Sequence, residues 1–125
     1  MTAWLDAGAL VAIDKRQRRV GALLRVLQRE GIEVRTTSTV VAQVWRDGTK
    51  QANLARVLAG VLVHDLDIVT ARRCGELQGA AGTRDVVDAH LALGVNDGDH
   101  VLTSDPGDIS HLLAVRGVSA QMTQV

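Results

Sequence analysis

The chain has 125 residues, 46% hydrophobic and 22% charged, with a formal net charge of zero, the profile of one globular domain able to fold unaided. Trp4 and Trp45 are its only aromatic residues and Cys74 its only cysteine, which argues against base-stacking platforms, internal disulfides and cysteine-rich zinc sites. Its apolar runs are too short to span a bilayer and no charged-then-apolar leader opens it, so a cytoplasmic protein without membrane contact is expected.

Residues 3–6, AWLD, read as a short strand opening into a helical turn or two, AGALVAI. Val20, Leu23, Leu24 and Leu27 follow the i, i+3, i+4, i+7 spacing of an amphipathic helix that Gly31 ends. EVRTT (33–37) is a second strand, after which Ser38 or Thr39 can cap a helix, VVAQVWRD, stopped by Gly48. Leu54, Val57 and Leu58 mark a further helix, and VLVHDL (61–66) a third strand. DIVTARRCGELQGAAG is helical, with Cys74 as a small buried hydrophobe, and Thr83 can cap the next helix, RDVVDAHLAL. HVLTSD (100–105) is a fourth strand, PGDISHLLAVRG a helix and VSAQMTQV a last strand. Strands alternating with helices predict a single three-layer α/β/α domain over 1–125, with a central parallel sheet of four to five strands.

The zero net charge conceals a division. Beyond Arg84 the only basic residue is Arg116, while Asp85, Asp88, Asp97, Asp99, Asp105 and Asp108 all lie there. Ligands of open parallel sheets sit outside the carboxyl ends of the strands, and Asp6 and Asp105 end the first and fourth. Each also has an ordinary role: Asp6 can cap the helix after it, and Asp105, Pro106 and Asp108 make a good helix start. Asp85 falls in a first helical turn, where a carboxylate suits the dipole. Asp88 reads as mid-helix, with no cap to form and only Arg84, in the less favourable orientation, as an ion-pair partner. Carboxylates gathered without a cation repel each other and take up protons. An oxygen-only ligand set favours Mg²⁺ or Mn²⁺ over zinc, the ions of phosphodiester hydrolysis. His64, His90, His100 and His111 lack metal-ligand spacing and read as surface or rim residues.

Across nearly its whole length the chain resembles the PIN-domain ribonucleases, specifically the VapC-type toxins of bacterial toxin–antitoxin pairs. WLDAGALVAI resembles the opening strand and helix that carry the first acid, and TSTVVAQV the segment that carries the second. DAHLAL resembles the carrier of the third, and VLTSD the strand end that carries the fourth. The resemblance implies Asp6, Asp88 and Asp105 as catalytic metal ligands, Asp108 as a supporting acid, and Thr103 as a residue that orients a ligand or contacts phosphate. It further implies Mg²⁺- or Mn²⁺-dependent hydrolysis of RNA by metal-activated water, a cognate antitoxin that covers the site, and a homodimer.

Two positions depart from the family pattern. Gln43 stands where the second acid is normally Glu; an amide offers an oxygen but no negative charge, and Asp85 is the candidate replacement. Gly8 stands where a hydroxyl residue is common, which predicts a looser Asp6. A PIN module weakened by Gln43, acting through RNA or partner binding alone, is therefore the alternative. A phosphoacceptor receiver domain is disfavoured, because it needs a lysine after a late strand and none follows Lys50. Arg46 and Lys50, which follow the helix bearing Gln43, are the candidate RNA contacts.

Overall fold

The computed structural model describes residues 1–125. Five strands form one parallel sheet: β1 (Thr2–Leu5), β2 (Glu33–Thr37), β3 (Leu62–His64), β4 (His100–Thr103) and β5 (Gln121–Gln124), in the spatial order β3-β2-β1-β4-β5. Each parallel pair needs a helical crossover. The helices α1 (Ala7–Asp14) and α2 (Arg18–Arg29) join β1 to β2, and α3 (Ser38–Val44) and α4 (Ala52–Leu58) join β2 to β3. Next, α5 (Ile68–Ala81) and α6 (Val86–Gly94) carry the chain over to β4, and α7 (Pro106–Arg116) leads to β5.

Alternation along β1 builds two cores. Ala3 and Leu5 face α1 to α4, packing with Leu10, Ile13, Val40 and Leu54. Trp4 faces the other way, into a layer made by α5, α6 and α7 with Leu77, Leu91, Ile109 and Leu112. Cys74 is free and fully buried there. No helix is long and apolar enough to cross a membrane.

Trp4 organises the amino-terminal edge of the sheet. Its indole Nε1 donates to Asp99 Oδ2 at 3.1 Å, and the Asp99 carboxylate also accepts from Thr2 N and Asn96 N. Asp99 is 5% exposed, so this acid of the carboxyl-terminal half is structural. Gly94, on α6, lets that helix lie against the indole: a Cβ there would stand 2.4 Å from Trp4 Cη2.

Two helix starts and one end differ from the sequence expectation. Thr37, the last residue of β2, caps α3 by accepting from Val40 N, so neither Ser38 nor Thr39 is the cap. That helix stops at Val44 instead of running to Asp47 because buried Gln51 captures the N–H groups of Arg46 and Asp47. Asp67, with its side chain accepting from Thr70 N, caps α5. Asp85, not Thr83, caps α6. Once Gly82 has turned the chain through a left-handed conformation (φ 70°), the first carboxylate able to reach a free helix N–H is Asp85.

Candidate active site

The strand order reverses between β1 and β4, and an open parallel sheet has its crevice at such a point, beyond the strands' carboxyl ends. Asp6 follows β1 there and Asp105 follows β4. Asp6 is 5% exposed and caps α1, with Oδ1 accepting from Ala9 N at 2.8 Å. Its Oδ2 accepts from Ser104 N at 3.2 Å. Both oxygens are therefore fixed by backbone groups from two different crossovers.

These bonds correct the expectation that Gly8 loosens Asp6. A Cβ at Gly8 would fall 2.3 Å from the Ser104 Cβ and 2.1 Å from its Oγ, so Ser104 occupies the space that a side chain at position 8 would take. Gly8→Ser should therefore strain the α1–β4 junction and destabilise by about 1–3 kcal/mol. Thermal denaturation checks this, and adding Ser104→Gly should recover most of the loss.

Asp88 also needs correction. Because α6 begins at Val86, Asp88 lies in its first turn, and its N–H donates to the capping carboxylate of Asp85 at 3.0 Å. Dipole complementarity thus gives Asp88 an ordinary account that a mid-helix position lacked. That account is insufficient for its surroundings. Half-burial, then the like charges of Asp85, Asp6 and Asp108, push its carboxyl up to about 7. No cation offsets them, since the only ion pair in the protein joins Arg35 to Glu33 and Arg84 lies exposed. Asp108 is raised as well, first by the hydrogen bond and charge of Asp105, whose own side chain caps α7.

Asp85, Asp88 and Asp108 share a small cleft of about 90 Å³ with Thr83, His111 and Leu112. Sequence reasoning passed over Thr83, His111 and Ser104 as site residues. Only Ser104 had a signal, its place at a strand end between Thr103 and Asp105. The Thr83 hydroxyl is buried without a hydrogen-bond partner. His111 Nε2 lies 2.8 Å from the Ala81 carbonyl.

No three His, Cys, Asp or Glu side chains stand together as a ready metal cage, so Asp6, Asp88 and Asp105 do not enclose an ion by themselves. The donor set still fits Mg²⁺ or Mn²⁺. Mg²⁺ keeps several waters and takes only one or two carboxylates plus substrate phosphate. A half-buried carboxylate among like charges and an orphaned hydroxyl on the same cleft suit a hydrated cation.

The remaining candidates do not line this cleft. Gln43 is exposed on α3 and makes no hydrogen bond to the acids. Thr103 is fully buried, its hydroxyl accepting from Asp105 N, so it shapes the turn carrying Asp105 and cannot present itself to a phosphate. Arg46 folds back on its own helix end, donating to the carbonyls of Ala42 and Trp45. Lys50 is exposed. His90 is 2% exposed and so is not a surface residue.

No family model and no curated protein sequence matches the chain. Solved structures do. A chain of VapBC2 from Rickettsia felis, bound to a DNA fragment from their promoter, aligns at a TM-score of 0.71 and 15% identity over 99% of this chain and all of that one. A chain of FitAB bound to IR36 DNA aligns at 0.62 and 17% identity, covering 97% and 94% of the two chains. A chain of FitAcB from Neisseria gonorrhoeae aligns at 0.59 and 18%, covering 96% of each. The chain therefore has a PIN-like α/β fold, the fold it shares with these chains of VapBC2, FitAB and FitAcB.

Proposed function

We propose that the protein is a metal-dependent endoribonuclease and the toxin of a toxin–antitoxin pair. The observation that carries this is the uncompensated acid cluster of Asp6, Asp85, Asp88 and Asp108 at the strand-order reversal of a fold shared with such complexes. Asp88, with Asp6 or Asp108, would hold Mg²⁺ or Mn²⁺. A divalent ion in such a site polarises a phosphate and makes water a stronger nucleophile at neutral pH.

The protein's own residues supply position and charge. Ala9 N and Ser104 N orient Asp6, and Asp85 fixes the first turn that presents Asp88. Asp105 organises the start of α7 and holds Asp108 at the cleft mouth. Gln43, uncharged and without a hydrogen bond to the acids, leaves Asp85 to supply the missing negative charge.

The structural neighbours come from complexes with antitoxin and DNA, which supports an antitoxin as partner and, with it, a cytoplasmic location. Leu62, Ile68 and Val69, exposed at the free β3 edge and the start of α5, give a second copy an apolar surface to cover.

The test is cleavage of single-stranded RNA with Mn²⁺, with Mg²⁺ and with chelator. Metal-dependent cuts are expected from the wild type. A wild type inert under all three conditions, beside a Gln43→Glu variant that cleaves, would leave the natural protein a binding module.

A further inference from the structure

A second cleft, of about 210 Å³, has walls that include Trp4, Thr37, His64, Asp65, Arg73 and His90. Thr37 and His64 end β2 and β3, and His90 lies two residues beyond Asp88. Both clefts take a wall from α6, where two residues are about 3 Å of helix rise.

Its polar groups are set for a ligand the protein does not supply. His90 is 98% buried, the complement of its 2% exposure, and Nδ1 is engaged with Thr39 Oγ1 at 2.9 Å. The other ring nitrogen, Nε2, is buried with no hydrogen-bond partner. A buried polar group left unpaired carries its full desolvation cost, so such groups are uncommon in folded proteins. Arg73 and Asp65 are exposed at the rim, and neither side chain makes a hydrogen bond within the protein. His64 lies over Trp4, ring centres 5.0 Å apart, with Arg35 Nη1 3.3 Å from its Nε2.

The cleft thus offers a guanidinium, a carboxylate and a buried imidazole. The arrangement is too mixed in charge for a bare phosphate. We propose that this cleft seats an unpaired RNA base next to the scissile phosphate and reads it as guanine, an inference that rests on the ribonuclease function above. Guanine carries two adjacent acceptors, O6 and N7, which an arginine contacts in bidentate fashion. Its Watson–Crick edge carries N–H donors that suit the Asp65 carboxylate, and single-stranded bases are read on such edges. His90 Nε2–H completes the set by donating to a base acceptor. Adenine would turn its amino group towards the guanidinium, and a pyrimidine lacks the adjacent O6 and N7 acceptors. Edge reading also suits a chain with no exposed aromatic platform in this cleft.

The test uses the protein's own fluorophores. Trp45→Phe leaves Trp4, which lines the cleft, as the only tryptophan. Titration of that variant with GMP, AMP, CMP, UMP and inorganic phosphate, without metal, reads binding separately from cleavage. GMP is expected to change Trp4 emission with a Kd about tenfold or more below those of the other nucleotides, and Arg73→Ala or Asp65→Asn should abolish that preference. Because both side chains are exposed and unbonded, these variants keep the fold. Equal binding of all four nucleotides, a response reproduced by phosphate alone, or no response to any would each overturn the proposal. GMP selectivity without metal-dependent cleavage would overturn the ribonuclease reading alone. Cleavage without GMP selectivity would overturn this one alone.

Discussion

Asp88→Asn is expected to abolish metal-dependent cleavage while making the metal-free protein more stable above neutral pH. If Asp88 holds the ion as proposed, its removal forfeits several kcal/mol of transition-state stabilisation, a loss on the order of a thousandfold. The stability change has the opposite sign because the charge is unwelcome in the empty site. The carboxyl of Asp88 is raised from its ordinary 3.8 to about 7 by burial and by Asp85, Asp6 and Asp108. Between those two values the folded protein holds a proton that the unfolded chain has released. Stability from this group is therefore fully present below about pH 4, falls as pH rises through that window, and levels off above about 7. Asp88 is only half-buried, so solvent screening limits the penalty to roughly 1–2 kcal/mol. Melting curves of wild type and Asp88→Asn at pH 5 and pH 8, with and without Mn²⁺, check both halves. Mn²⁺ should raise the wild-type melting temperature most at pH 8 and should barely move the variant. A variant less stable than wild type at pH 8 without metal would contradict the assignment of Asp88.

Gly94→Ala should be among the most damaging single-methyl additions in the chain. The new Cβ would lie 2.4, 2.8 and 3.0 Å from three atoms of the Trp4 ring. That ring cannot retreat, because Asp99 holds its Nε1 and the core of α5, α6 and α7 closes around it. Overpacking of this degree costs about 3 kcal/mol, roughly 10 °C in melting temperature for a domain of this size. Gly79→Ala is the matched control: its site on α5 has nothing within 4 Å, so it should gain up to about 1 kcal/mol from helix propensity. Thermal denaturation of the two variants should show opposite signs.

Apolar periodicity and strand alternation made the architecture legible, and EVRTT stands as β2 with the very ends expected. What escaped were helix ends, because several side chains within reach compete to cap. Thr83 and Asp85 compete in this way, and so do Thr37, Ser38 and Thr39. The difference mattered for the site, since moving the start of α6 to Val86 moved Asp88 from mid-helix to the first turn. Gly8 was legible as a departure but not in its meaning, for its reason is Ser104, which no local pattern links to position 8. The orphaned nitrogen of His90 was equally out of reach. Its burial depends on Thr39, 51 positions away, and on an α5 that closes over the cleft.

The contact between Ser104 N and Asp6 Oδ2 joins positions 98 residues apart, and β1 has β4 as one of its two neighbours. The central strand is therefore flanked on one side by β2 and on the other only by a strand about a hundred residues further along. Pairing of such distant segments is slow to nucleate, since loop closure precedes any gain. Asp6 therefore acquires its Ser104 partner, and Asp88 its Asp108 neighbour, only when residues 100–108 have docked. Assembly of the acid cluster is thus coupled to the last long-range pairing of β1 and not to its local contacts.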